Sequence, residues 1–209
     1  MFEDRADAGK QLGKELARRG YAERGDVIVL GVPRGGVEVA AEVARVLSAP
    51  LDVVVVRKIG APGYPEFAAG AVDPAGHVYV NPEAHAPERY LVEAGEREKQ
   101  EALRRLAEYR GEEPYPDLSG RVAIVVDDGV ATGLTSLAAV RWLRSLGASK
   151  VLLAAPVMSP SAASELQREV DELVALEVPP GFYAVGAAYY RFGQLSDAEV
   201  KAIMASARG

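Results

Sequence analysis

Apolar runs of six to eight residues alternate with amphipathic segments along most of the chain. The runs are rich in Val, Ile and Leu, which is typical of strands buried on both faces of a parallel sheet. The segments between them repeat apolar residues at helical spacing, as Leu12 and Leu16 do in the first. We therefore predict helices over residues 4–19, 35–49, 134–148 and 161–170, and strands over 26–32, 51–56, 121–127, 150–157 and 172–178.

The order of these elements predicts the fold class. Strands joined through helices form βαβ units, whose strands run parallel. We expect an α/β fold with a doubly wound, mainly parallel five-stranded sheet, in one domain over residues 1–209. Residues 60–118 interrupt the alternation with two short strand-like runs and a long charged helix, and we interpret them as a flexible insertion. Near the end of the chain, Ser196 and Glu199 have the spacing of a capping box that begins a last helix.

Composition and charge narrow the classes of function. The 209 residues carry a net charge of -6 and include no cysteine. The acidic balance argues against a task that depends on the nucleic-acid backbone, and the lack of cysteine excludes disulfides and Cys-ligated metal sites. No apolar stretch is long enough to cross a bilayer, and the charged N-terminus does not resemble a secretory signal. We expect a cytoplasmic protein with no nucleic-acid partner and no membrane partner.

The sequence VVDDGVATGLTS, residues 125–136, carries the strongest candidate chemistry. Asp127 and Asp128 close a predicted strand, and a loop of Gly, Ala and Thr then leads into a helix. In a parallel sheet, ligands bind beyond the carboxyl ends of the strands, and a helix N-terminus attracts anions. A 5-phosphorylated ribose suits both ends of this motif, because its hydroxyls can donate to the carboxylates while its phosphate binds the loop. The predicted phosphate-binding residues are Gly129, Val130, Ala131, Thr132, Gly133, Leu134 and Thr135.

Two further motifs follow the first and second predicted strands. GVPRGG, after the first, offers an arginine fork for phosphate oxygens beside two glycines that expose the backbone. VVRKIG, after the second, contains an Arg-Lys pair. Because the carboxyl ends of parallel strands share one edge, we expect a pocket there for a sugar with several phosphates. The candidate ligands for the further phosphates are Arg34, Gly35, Gly36, Arg57 and Lys58.

Each motif also has a purely structural interpretation. The acids can cap a strand, the threonines can cap a helix, GVPRGG can be a sharp turn, and the Arg-Lys pair can be a solvated strand exit. Other phosphate motifs fit worse, since no G-x-G-x-x-G follows a strand and Val37 stands where a P-loop needs Lys. The coincidence of three motifs at one sheet edge favours the pocket.

Together these motifs resemble a known family. VVDDGVATGLTS resembles the 5-phosphoribosyl-1-pyrophosphate (PRPP) signature of type I phosphoribosyltransferases, and GVPRGG resembles the family's pyrophosphate loop. Arg57 and Lys58 resemble the basic pair that ends the second strand in adenine-type members. The resemblance implies transfer of 5-phosphoribose from PRPP to a nitrogenous base, with release of pyrophosphate, in nucleotide salvage. It also implies Mg²⁺, a homodimer, a lid within residues 60–118, and a small hood made by residues 1–20 and 179–209.

The resemblance also assigns roles at the site. Asp127 and Asp128 would be the catalytic pair, holding the ribose hydroxyls, favouring positive charge on the ring, and holding Mg²⁺ mostly through PRPP and water. Ala131 stands where hypoxanthine- and guanine-type members carry a third acid, which argues against an oxopurine acceptor. Candidates for stacking on the base, which can equally hold the hood together, are Phe182, Tyr189, Tyr190 and Phe192.

Two other functions stay open at this point. One is a non-catalytic regulator that keeps the same fold to sense PRPP or nucleotides. The other is a different sugar-phosphate or nucleotide binder with an α/β sheet. Release of pyrophosphate from PRPP in the presence of a base distinguishes the transferase from both.

Overall fold

The computed structural model describes residues 1–208. Its helices are α1 (Arg5–Arg18), α2 (Gly35–Leu47), α3 (Glu88–Arg110), α4 (Leu134–Ser145), α5 (Pro160–Leu166) and α6 (Asp197–Arg208). Its strands are β1 (Val27–Gly31), β2 (Leu51–Val53), β3 (Arg57–Ala61), β4 (Tyr64–Val72), β5 (Val78–Val80), β6 (Val122–Val126), β7 (Lys150–Val157) and β8 (Glu172–Glu177). The predicted helix over 161–170 is shorter than expected and ends at Leu166.

A parallel sheet with helices on both faces forms the centre of the molecule. Its five strands lie in the order β2-β1-β6-β7-β8, and every neighbouring pair is parallel. Successive residues of β1 point to opposite faces: Val27 and Val29 pack with α1, α2 and α6, whereas Ile28 and Leu30 pack with α4 and α5. The predicted fold class, a doubly wound α/β fold with a five-stranded parallel sheet, is confirmed.

The second strand is shorter than predicted, and the insertion begins earlier. β2 ends at Val53 because its partner β1 ends at Gly31, the last residue paired with it. Residues 54–56 are buried but form no strand. Arg57 and Lys58 therefore do not end the second strand, as their sequence context suggested, but begin β3. β3, β4 and β5 form a separate antiparallel sheet, which packs on α3 around a small apolar cluster.

A buried ion pair fixes the end of the insertion to the central sheet. Arg110, the last residue of α3, donates from Nε to Asp52 Oδ1 at 2.8 Å and from Nη2 to Asp52 Oδ2 at 3.1 Å. The two side chains are 5% and 9% exposed. Just beyond, the Tyr115 hydroxyl donates to Val53 O at 2.8 Å. The segment that leads from the insertion back to the central sheet is thus bonded to Asp52 and Val53 of β2.

The two ends of the chain meet near the carboxyl edge of the sheet. The Phe2 N–H donates to Ala188 O at 2.8 Å, and Phe2 O accepts from the Tyr190 N–H at 2.9 Å. The following helix, α1, packs on α2. The predicted capping box of α6 is confirmed, since the Ser196 N–H donates to Glu199 Oε2 at 2.7 Å and the Glu199 N–H donates to Ser196 Oγ at 3.2 Å. None of the helices in the described chain is apolar over a length that could cross a membrane.

Candidate functional site

The GVPRGG turn and the acid pair are in direct contact. β1 and β6 are neighbours, so the segments that follow them leave the sheet side by side. A Cβ placed on Gly35 would lie 1.9 Å from Asp128 Oδ2. A Cβ placed on Gly36 would lie 2.8 Å from Val126 O and 2.9 Å from the Cα of Asp127. A side chain at Gly36 would displace the main chain of the acid-bearing segment, and one at Gly35 would displace the Asp128 carboxylate, so glycine is favoured at both positions.

Asp127 and Asp128 differ in their surroundings. Asp127 Oδ1 accepts a hydrogen bond from the Asp128 N–H at 2.8 Å, which turns this carboxylate back toward the chain. Desolvation, followed by the nearby charge of Asp128, raises the pKa of Asp127 well above its usual range. The Asp128 carboxylate instead receives Arg5, whose Nε donates to Oδ2 at 2.7 Å. One acid of the pair is therefore balanced by a cation, and the other is not.

The loop after the acids presents unpaired backbone N–H groups. Its middle is fixed from one side, because the Val130 N–H donates to Val157 O at 3.0 Å and Ser159 Oγ donates to Ala131 O at 2.6 Å. Gly133 then takes a positive φ of 81° and leads directly into α4. Within residues 1–208, the backbone N–H groups of 131–136 have no protein acceptor. The loop and the start of α4 can thus donate several hydrogen bonds to an anion.

The three candidate cations are in different situations. Arg34 is exposed, and in the described chain its side chain has no hydrogen bond or ion pair. Arg57 donates from Nε to Glu98 Oε2 of α3 at 2.9 Å. Lys58 donates to Glu66 O at 3.3 Å. Arg34, beside the acid pair, is therefore free to meet a ligand, whereas Arg57 and Lys58 are engaged within the insertion.

Of the tail aromatics, Tyr189 contacts Asp128, and Phe192 contacts Tyr189 and Arg5. Tyr189 is buried, and its hydroxyl donates to the Asp128 carbonyl at 2.5 Å. Its ring stacks on Phe192 at a centroid distance of 4.9 Å. Phe182 is partly buried in the same apolar cluster, whereas Tyr190 is 71% exposed. Burial raises the pKa of Tyr189 far above its usual range, so its hydroxyl stays a donor. Stacking of a base on any of these rings stays a prediction.

The sequence of this chain matches a known protein family. The model of the phosphoribosyl transferase domain matches residues 4–183. The chain belongs to the phosphoribosyl transferase family. Rv0571c of Mycobacterium tuberculosis, which is named as a candidate phosphoribosyl transferase, is 45% identical over 211 residues that cover 98% of this chain and 46% of the relative. The chain thus spans about half the length of the curated relatives that it matches.

Two solved structures resemble the fold of this chain. The protein TT1426 from Thermus thermophilus is 44% identical and superposes with a TM-score of 0.83, over 99% of this chain and 98% of the other. AQ2163 from Aquifex aeolicus is 14% identical with a TM-score of 0.50, over 81% of this chain and 71% of the other, and shows the fold alone. The fold of this chain is therefore shared by a solved protein over its whole length.

Two side chains at this candidate site were not identified from the sequence. Arg5 reaches Asp128 across 123 positions of chain, and Glu38 in the first turn of α2 lies 4.0 Å from Arg5 Nη1. Burial is the first cause of a raised pKa at Glu38, and the carboxylates of Asp4, Glu199 and Asp128 add to it. No local pattern marks either residue, since both are single charges on amphipathic helices.

Proposed function

We propose that this protein is a PRPP-dependent phosphoribosyltransferase, which transfers 5-phosphoribose to a nitrogenous base and releases pyrophosphate. The observation that supports it best is the contact between the Gly35–Gly36 backbone and the Asp127–Asp128 pair. This contact unites a basic, glycine-rich turn and a pair of carboxylates at one sheet edge, next to a helix start with unpaired N–H groups. A ribose with phosphates at both ends matches this distribution of charge.

The ribose 5-phosphate would bind the loop of residues 129–135. Unpaired N–H groups and the dipole of α4 favour a phosphate there, and the hydroxyls of Thr132 and Thr135 add donors. The ribose hydroxyls would donate to Asp128, whose Oδ1 carries no hydrogen bond from residues 1–208. In the ribose, the hydroxyls and the 5-phosphate lie at different ends of the sugar. In the sequence, the acid pair comes first and the loop and helix start follow it, so each end of the sugar would meet a different part of the motif.

The pyrophosphate would lie over the GVPRGG turn. Within residues 1–208 the Arg34 side chain has no hydrogen bond or ion pair, so its guanidinium fork can meet phosphate oxygens. The carboxylates suit Mg²⁺ that arrives with PRPP, because this cation prefers oxygen ligands and keeps water and phosphate in its shell. The described residues include no group of three acidic or histidine side chains that could hold a metal by themselves. When bound, Mg²⁺ supplies charge neutralisation for the pyrophosphate oxygens.

The residues present suit a displacement at C1 of the ribose. The bond from C1 to the pyrophosphate oxygen breaks and takes its electron pair with it, the base nitrogen forms the new bond to C1, and the nitrogen then loses its proton. The carboxylate charge beside the ring favours the positive charge that develops on it. Arg34 receives the leaving group, and Arg57 and Lys58 would join it after release from Glu98 and Glu66. A lid over the site would keep water from C1.

The proposal is tested by calorimetric binding of PRPP with Mg²⁺, followed by pyrophosphate release across a panel of bases. Asp128→Asn should lower turnover about 100- to 1,000-fold, the cost of losing a charge that stabilises the transition state. Asp26→Asn is the control, because Asp26 is 42% exposed and pairs only with Arg24 at the surface. Binding without pyrophosphate release for any base would favour the regulator instead, and the absence of PRPP binding would refute the transferase and a PRPP-sensing regulator.

A further inference from the structure

Arg5 is a buried cation held from several sides. Its side chain is 8% exposed, and besides its bond to Asp128 it donates from Nη1 to Gly193 O at 2.6 Å. The guanidinium carbon lies 3.9 Å from the centroid of the Phe192 ring. Arg5 is also the first residue of α1, so its backbone is fixed by a helix. With these contacts the guanidinium has one defined position and orientation.

The Asp128 carboxylate depends on this cation. The backbone of Asp128 is bonded elsewhere, through its N–H to Asp127 and through its carbonyl to the Tyr189 hydroxyl. Arg5 is the cation that donates to the carboxylate, and it takes Oδ2. The neighbouring Asp127 side chain also interacts with this carboxylate, but it is itself an acid. Without Arg5 the carboxylate would lose its charged partner and the hydrogen bond that fixes Oδ2.

The Arg5–Asp128 pair also lies against the proposed pyrophosphate turn. A Cβ on Gly35 would be 2.7 Å from Arg5 Nε, in addition to its overlap with Asp128. The pair therefore stands between the proposed ribose and pyrophosphate positions. Phe192 covers the guanidinium and stacks on Tyr189, which binds the same aspartate. Both terminal segments of the chain thus converge on one carboxylate.

We propose that Arg5 is a positioning residue, which holds the Asp128 carboxylate in the orientation that receives the ribose hydroxyls of PRPP, and that Phe192 holds Arg5 in turn. This inference rests on the proposed function of the site. Two other roles use the same contacts. A structural pin would only attach the hood to the sheet, and a plug would occupy Asp128 until a ligand displaced it. The three roles predict different changes in PRPP affinity.

The test measures the dissociation constant of PRPP, in the presence of Mg²⁺, for the variants Arg5→Gln, Arg5→Lys and Phe192→Leu. The melting temperature of each variant is measured as well, to show that it is folded. Arg5→Gln should weaken binding about 10- to 100-fold, since a charge-assisted hydrogen bond is lost at a ligand-binding carboxylate. Arg5→Lys should recover part of this loss, and Phe192→Leu should weaken binding less than Arg5→Gln. The control is Arg191→Gln, whose side chain is 68% exposed and pairs with Glu3 and Asp4 in the same hood.

Each outcome supports or overturns the inference. Unchanged PRPP affinity in a folded Arg5→Gln protein indicates that Arg5 only attaches the hood to the sheet. Tighter binding indicates that Arg5 occupies Asp128 until a ligand displaces it. Either result overturns the positioning role. Should Arg5→Gln fail to fold, Phe192→Leu decides, since wild-type affinity there overturns the second half of the proposal. Should the wild type bind no PRPP, the proposed function fails separately. A crystal structure of Arg5→Gln then decides, because an unmoved Asp128 carboxylate overturns the positioning role and a rotated one supports it.

Discussion

Gly36→Ala tests the contact on which the site depends. The new Cβ would meet Val126 O at 2.8 Å and the Asp127 Cα at 2.9 Å, whereas ordinary contacts begin at 3.4 Å. Both neighbours are main-chain atoms, so the turn or β6 must move by about half an ångström to relieve the overlap. Overpacking of this kind costs about 1–3 kcal/mol, and Ala in place of a helical Gly returns about 0.5–1 kcal/mol. We expect a net loss of roughly 1–2 kcal/mol in the free energy of unfolding.

Differential scanning calorimetry measures this loss as a fall in Tm of roughly 2–8 °C for a chain of this size. PRPP affinity should fall about tenfold or more in the same protein, because the displaced turn separates the two parts of the site. The matched control is Gly25→Ala, where a Cβ meets nothing within 4 Å and φ is not positive. If Gly36→Ala melted and bound PRPP as Gly25→Ala does, the close approach of the turn to β6 would be refuted.

Three further predictions concern stability. Arg110→Gln leaves Asp52 buried without its cation and should cost about 3–5 kcal/mol by denaturant unfolding. The control is Arg89→Gln, because the Arg89 side chain is 90% exposed and its pair with Glu93 should add almost nothing to the free energy of unfolding. Equal losses of stability in the two variants would contradict the anchoring role of Arg110. Glu38→Gln should raise Tm at pH 7 but not near pH 4. Because the pKa of Glu38 is raised in the folded protein, ionisation of this carboxyl lowers stability as the pH rises above about 4. A difference in Tm that does not depend on pH would contradict this. Ser159→Ala removes the cap that accepts from the Ala162 N–H and the bond to Ala131 O in the loop before α4. We expect a loss of about 1 kcal/mol and, if the loop binds phosphate as proposed, weaker PRPP binding, whereas wild-type values of both would count against it.

Local sequence pattern was sufficient where short-range physics determines the structure. The apolar run before Asp127 becomes β6, and the threonine-containing loop leads into α4 at Leu134. The alternation of strands and helices was enough to predict a parallel sheet, because the crossover geometry leaves few other arrangements. The meeting of GVPRGG with the acids also follows from the order of the elements, since both follow neighbouring strands.

Long-range features could not be obtained in this way. Residues 51–56 are apolar except for Asp52, but a strand needs a partner, and the pairing of β2 with β1 ends at Val53 and Gly31. An apolar run indicates that a segment is buried, but it does not indicate where the pairing of a strand with its neighbour ends. The contact of Arg5 could not be predicted either, because its partner Asp128 lies 123 positions away in the sequence. Its own neighbours in the sequence describe only an amphipathic helix.

The interlocked ends of the chain set a condition for hybrid proteins. Phe2 exchanges main-chain hydrogen bonds with Ala188 and Tyr190, so the first turn and the tail form one unit although they are far apart in sequence. A chimaera that imports only the tail of a relative would present a foreign surface to Phe2. Exchange of the tail between relatives therefore requires transplantation of both segments together.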